Sequence, residues 1–260
     1  MKISKPIFFV FTALLAAAPS RRASAAVSDL ELLKKVDSLA SYYGVDFSAE
    51  YTIVQDKPGQ SRTATVAGVF RRDSSALYTI IIMQPAINRG QGYLKQGDTL
   101  WFYDPESKRF NSTSSRERFQ NSNARNSDFT RSTLSEDYRI LSGEEAVLGR
   151  FKCRALTLEA VSRDVTYPRM KIWVSDDGLI RQTQDYSLSG QLLRTSAIPE
   201  YYNIDGRYVP KAVLQVDALR GATVNGAFVN ERTLISVSNP SFAPVSSAIF
   251  SKTYLEKASR

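Results

Sequence analysis

Residues 92–105 read GYLKQGDTLWFYDP. Two short runs flank Gly97-Asp98, a pair suited to a two-residue hairpin loop, where glycine adopts positive φ without steric cost. Along each run the side chains alternate between two faces. Leu94 and Trp101 then oppose one another across the turn, and Tyr103 follows on the same face. Asp104-Pro105 ends the second run, because proline cannot donate to a strand ladder. The stretch predicts an antiparallel hairpin, with a third strand starting at 108–112.

The same signals repeat outward from this hairpin. Residues 47–55 alternate and stop at Lys57-Pro58-Gly59. Residues 63–71 alternate around Val66, Val69 and Phe70. Residues 77–83 are apolar on both faces, which predicts a strand covered on both sides. Further strands are expected at 138–141, 151–161, 169–174, 179–187, 191–198, 201–204, 208–217 and 228–237. Asp176-Asp177-Gly178, Ser189-Gly190 and Asp205-Gly206 supply turns between them. Many strands at short spacing predict a mostly β fold, a continuous antiparallel sheet curled into a barrel or half-barrel. One helix precedes it: Leu30, Leu33, Val36, Leu39 and Ala40 recur at helical spacing. Ser28 or Asp29 is its expected N-cap and Gly44 its stop. A short helix is expected at 247–255. Residues 111–133 break the pattern, being rich in Ser, Asn and Arg with Phe119 and Phe129 as isolated aromatics. Loops of that length inside a compact domain are often functional, and with the N-terminal helix this one is expected to form a lid. The alternative is a disordered excursion.

The first 25 residues have the three parts of a cleavable secretory signal. Lys2 and Lys5 are followed by an apolar run from 7 to 18 and then by Ala23-Ser24-Ala25. The run is shorter than the roughly 20 residues of a membrane span. A soluble, extracytoplasmic single domain over 26–260 is therefore expected. Losing Lys2, Lys5, Arg21 and Arg22 with the signal halves the formal charge of +8, which leaves too sparse a basic surface for nucleic acid. Cys153 is the only cysteine, so no disulfide framework exists and a buried apolar role is expected for it. The chain has no histidine, which removes His-dependent nucleophile systems and most transition-metal sites. The adjacent acidic pairs Glu136-Asp137, Glu144-Glu145 and Asp176-Asp177 would point to opposite faces of a strand, so they make poor carboxylate dyads. No catalytic residue, metal or cofactor is expected.

What the pattern leaves over is apolar surface. Strand parity nominates Phe70, Ile80, Ile82, Leu94, Trp101, Tyr103, Leu156, Leu158, Met170, Ile172 and Val174 as the lining of a hydrophobic cavity in the curled sheet. Ordinary core packing is the competing explanation. Arg116, Arg118, Arg125 and Arg131 in the 111–133 loop suit either anionic headgroups or plain solvation.

The 92–105 stretch, with its Gly-Asp-x-Leu-Trp-x-Tyr-x-Pro core, resembles the strand–turn–strand of periplasmic lipoprotein carriers of the LolA type and related outer-membrane lipoprotein-sorting proteins. Asn126-Ser127-Asp128-Phe129 and Ser135-Glu136-Asp137-Tyr138 are similar to that group's Gly-Ser-Asp-Phe segment and acidic turn, with Asn126 where the group often has glycine. Lys171-Ile172-Trp173-Val174, Asp177-Gly178-Leu179 and Tyr208-Val209-Pro210 fit its later strands, so the likeness spans about residues 40–240. The resemblance implies a half-open antiparallel β-barrel closed by helices that carries lipid or acylated lipoprotein. It also implies an inner-membrane ABC transporter or permease as partner. The alternative on the same scaffold is a lipid-sensing envelope-stress or structural module.

Overall fold

The computed structural model describes residues 21–258, with side chains from Asp29 onward. The expected signal peptide, 1–25, lies outside the residues whose side chains are described. Helix α1 (Arg21–Ala40) leads into β1 (Phe47–Asp56), β2 (Thr63–Arg72), β3 (Leu77–Gln84), β4 (Gly92–Gln96), β5 (Thr99–Asp104) and β6 (Arg109–Thr113). A loop and the single-turn helix α2 (Leu134–Asp137) follow. Then come β7 (Tyr138–Leu148), β8 (Phe151–Ala160), β9 (Arg169–Ser175), β10 (Ile180–Tyr186), β11 (Leu192–Ala197), β12 (Tyr201–Ile204), β13 (Arg207–Pro210), β14 (Ala212–Val224), β15 (Ala227–Ser241) and helix α3 (Lys252–Ala258). No helix among the described residues is long and apolar enough to cross a membrane.

Thirteen strands make one antiparallel sheet in the order β6-β5-β4-β3-β2-β1-β15-β14-β11-β10-β9-β8-β7, while β12 and β13 pair by themselves. The terminal strands β6 and β7 do not pair with each other, so the curled sheet is a half-open barrel. Gly97 takes φ +56° at the first position of the predicted two-residue turn, and Leu94 pairs with Trp101 as expected.

Register fixes which side chains share a face. Val69 pairs with Ile80 and Ala67 with Ile82, and the same face continues through Tyr51 and Ile53 to Ile235 and Thr233. From Thr233 it passes through Gln215, Ser196, Arg194 and Asp185 to Met170 and Leu158. This is the inner face. Helix α1 covers one end of it, burying Leu33 and Val36 against Leu156, Leu158, Ile172 and Val174. Asp29 is buried within α1 and does not cap it. Its carboxylate accepts from Arg154 Nε (2.7 Å) and Nη2 (2.9 Å) of β8, which fixes the helix to the sheet.

The outer face behind β3–β5 is covered by residues 247–258, which explains the two-sided apolarity of residues 77–83. Leu255 of α3 is fully buried against Leu94 and Tyr103. Gly92 sits beneath it; a Cβ there would lie 2.5 Å from Leu255 Cδ2 and 3.0 Å from Ile80 O, so a larger residue would displace the leucine. Cys153 is buried, as its position in an alternating stretch suggested.

Candidate functional site

Residues 114–133 do not wander into solvent. They fold back across the inner face. The loop closes on itself through Phe119 N–H to Ala124 O (2.9 Å), Asn126 N–H to Glu117 O (3.0 Å) and Ser127 N–H to Ser115 O (2.9 Å). Phe119 and Phe129 are buried with their ring centroids 4.6 Å apart. Phe119 stacks on Tyr93 at 4.8 Å and Phe129 on Tyr51 at 5.9 Å. Both rings join one apolar cluster with Ile53, Ala67, Val69, Tyr78, Ile80, Ile82 and Leu100. The lid expected from sequence is thus a plug, and its two isolated aromatics are the parts that enter.

The eleven residues nominated by parity fall into three groups. Ile80 and Ile82 meet the plug. Leu156, Leu158, Met170, Ile172 and Val174 share the inner face but lie under α1. Leu94, Trp101 and Tyr103 project outward, as does Phe70, whose ring meets Tyr254 of α3 at 6.5 Å. The division follows strand parity. Ile80 pairs with Tyr93, so Leu94 and its partner Trp101 face the opposite way. Lys252 Nζ lies 4.4 Å from the Trp101 ring centroid, a cation–π contact on the outer side.

Between the two apolar clusters runs a polar stripe that the sequence reading missed. Arg194 of β11 is its centre. Its Nη1 donates to Asp128 Oδ2 (2.6 Å) and its Nη2 to Asp128 Oδ1 (3.0 Å), a two-point grip on the loop. Its Nε donates to Asp185 Oδ2 (2.7 Å) of β10. Gln215 Nε2 of β14 adds a third sheet-borne donor to Asp128 Oδ2 (3.0 Å). Arg118 of the loop reaches Asp217 Oδ2 of β14 (2.6 Å), and Asn123 N–H donates to Thr233 Oγ1 (2.8 Å). At the far end of the loop, Asp37 of α1 accepts from Ser132 Oγ (2.6 Å) and from the N–H groups of Leu134 and Ser135. The other loop arginines also bind protein groups: Arg125 donates to Arg116 O (3.0 Å), Arg116 Nε to Val165 O (3.0 Å) and Arg131 to the Tyr43 hydroxyl (2.6 Å).

The two carboxylates on Arg194 are not equivalent. Burial pushes the Asp128 carboxyl up, but Arg194, the Arg125 N–H and Gln215 outweigh it and hold the group below the usual carboxylate range. Asp185 is wholly buried with only one oxygen bonded, so burial prevails over Arg194 and raises it, with the Asp128 charge adding to the rise. A group raised in the folded state loses native stability as pH climbs through its folded pKa. Asp185→Asn is therefore expected to raise the melting temperature at pH 7, with the gain fading as pH falls towards 4. A loss at pH 7, or an equal gain at both pH values, contradicts this.

Seven buried side-chain polar atoms among the described residues have no hydrogen-bond partner within the protein. They are Tyr78 Oη, Asn123 Nδ2, Arg125 Nε, Asn126 Oδ1, Asp185 Oδ1, Ser196 Oγ and Gln215 Oε1. All belong either to the loop or to the inner face of the sheet. A buried polar atom left without a partner costs about 1–3 kcal/mol.

Comparison with known proteins follows the same lines. A family model described as "Uncharacterized protein" matches residues 74–257. No curated protein matches the chain. Among solved structures, a LolA superfamily protein from Nitrosomonas europaea is 25% identical with a TM-score of 0.71, covering 86% of this chain and 97% of that one. A DUF1329 family protein from Desulfovibrio piger is 19% identical, TM-score 0.77, covering 88% and 98%. An outer membrane lipoprotein-sorting protein domain from Vibrio parahaemolyticus is 19% identical, TM-score 0.75, covering 89% and 99%.

Proposed function

The chain belongs to the family whose model matches residues 74–257 and has the fold of the LolA superfamily, and from that premise we propose that it is a periplasmic lipid carrier. It holds acyl chains, of a lipoprotein or another lipid, against the inner face of the sheet once the 114–133 loop withdraws. It then delivers them towards the outer membrane. The observation that carries this reading is the plug. Two phenylalanines occupy the apolar half of the inner face, while unpartnered polar atoms lie on the loop and on the inner face of the sheet.

Docking the plug buries two large rings, each contributing about 1.5–3 kcal/mol. Orphaned groups of about 1–3 kcal/mol apiece oppose it. The orphaned groups weaken docking, as a lid that opens requires. An acyl chain entering in its place escapes water at about 0.8 kcal/mol per methylene. The lipoprotein-sorting designation of the Vibrio domain supports the cargo class, and the signal-peptide pattern in residues 1–25 supports the compartment. A transporter or permease of the inner membrane is the corresponding donor.

Native mass spectrometry of protein gently purified from an envelope fraction should show a lipid-sized adduct. Stripped protein should bind a fluorescent fatty-acid probe. A stripped protein that takes up neither acyl chains nor hydrophobic dyes would overturn the reading.

A further inference from the structure

We infer that the inner face is built for an anionic amphiphile, with Arg194 and Gln215 receiving its headgroup in place of the Asp128 carboxylate. This rests on the carrier reading and specifies its ligand. The loop is itself a model of that ligand. Asp128 and Phe129 are consecutive: the carboxylate meets three sheet-borne donors, Arg194 Nη1, Arg194 Nη2 and Gln215 Nε2, at 2.6–3.0 Å. The neighbouring ring lies in the apolar cluster with Ile80 and Ile82. An anion joined to a hydrophobe is the chemistry of a fatty acid or an anionic phospholipid.

The consequence of withdrawal follows from donor counting. When Asp128 leaves, Asp185 still takes Arg194 Nε through one oxygen. The two Nη groups and Gln215 Nε2 lose their acceptor, deep in a face where unpaired donors are costly. A carboxylate or phosphate restores all three bonds and replaces one negative charge on the buried Arg194 by another. A neutral headgroup offers no charge-assisted pair.

The test measures affinities of the full chain for palmitate, palmitoyl-lysophosphatidylglycerol and neutral monopalmitoylglycerol, with inorganic phosphate as competitor. The two anionic lipids should bind about tenfold tighter than the neutral one. Phosphate alone should not compete, because it lacks the tail. Asp128→Asn loosens the plug and should tighten all three lipids by the same factor, leaving their ratio unchanged. Arg194→Gln in the Asp128→Asn background should abolish the preference for anions. If that double variant does not fold, Gln215→Leu should reduce the preference severalfold. Equal affinity for charged and neutral lipids, or a preference indifferent to both substitutions, overturns the inference while the carrier reading stands. Competition by free phosphate also overturns it, in favour of a plain anion site. Binding of no lipid at all, even by Asp128→Asn, removes the carrier reading and this inference with it.

Discussion

Arg194→Met is expected to lower the unfolding free energy by about 3–5 kcal/mol at pH 7, the usual cost of removing one partner from a buried ionic cluster. The guanidinium is the cation shared by Asp128 and Asp185. Without it, one carboxylate already raised by burial and a second held down chiefly by Arg194 must ionise without that partner or take up protons. Both routes favour the unfolded chain at neutral pH. The magnitude is large against the 5–15 kcal/mol that typically holds a domain together. Arg194→Met combined with Asp128→Asn and Asp185→Leu should recover most of the loss, because the cost lies in uncompensated charge and not in the absence of the pair. Denaturant titration with the slope held constant reads both. A single variant within 1 kcal/mol of the parent would place the cluster in water.

The strands were legible because their signals are local. Gly97-Asp98, Asp177-Gly178, Ser189-Gly190 and Asp205-Gly206 each stand where the chain turns, and alternation between them marks the pleat. The β14–β15 hairpin runs further than expected, to a tip at Asn225-Gly226, where both residues have positive φ. That dipeptide is a strong hairpin signal and was there to be used. The inner face was harder to read. Periodicity of two says which residues share a face, not which face is inside. In β3 the inward set is Tyr78, Ile80 and Ile82, yet in the next two strands, β4 and β5, the apolar pair Leu94 and Trp101 points outward because α3 waits there. In β11 and β14 the rule inverts outright. Arg194, Ser196, Gln215 and Asp217 point inward, whereas Leu214 is 37% exposed. Polar residues are inside because the loop brings Asp128, Asn123 and Arg118 to meet them. That long-range partner leaves no local trace in the strand sequences.

The same loop yields the second large effect. Phe119→Ala with Phe129→Ala should raise the affinity for a fluorescent fatty acid about a hundredfold or more. Each truncation removes a buried ring whose loss typically costs about 3–5 kcal/mol. Both rings are presented by the loop, and the sheet beneath is held by thirteen paired strands of its own. The loss therefore falls mainly on docking of the plug. Apparent affinity scales with the fraction of molecules whose binding face is open. A shift of about 3 kcal/mol in docking multiplies that fraction by about a hundred while the closed form still dominates. Hydrogen exchange gives the second readout. Amides of 114–133 should lose protection, while those of β1–β3 should keep theirs, because the strand ladders do not depend on the loop. If affinity stays level and protection falls throughout the sheet, the two phenylalanines are part of the structural core. Faster exchange confined to the loop together with tighter binding is the signature of a plug that the cargo displaces.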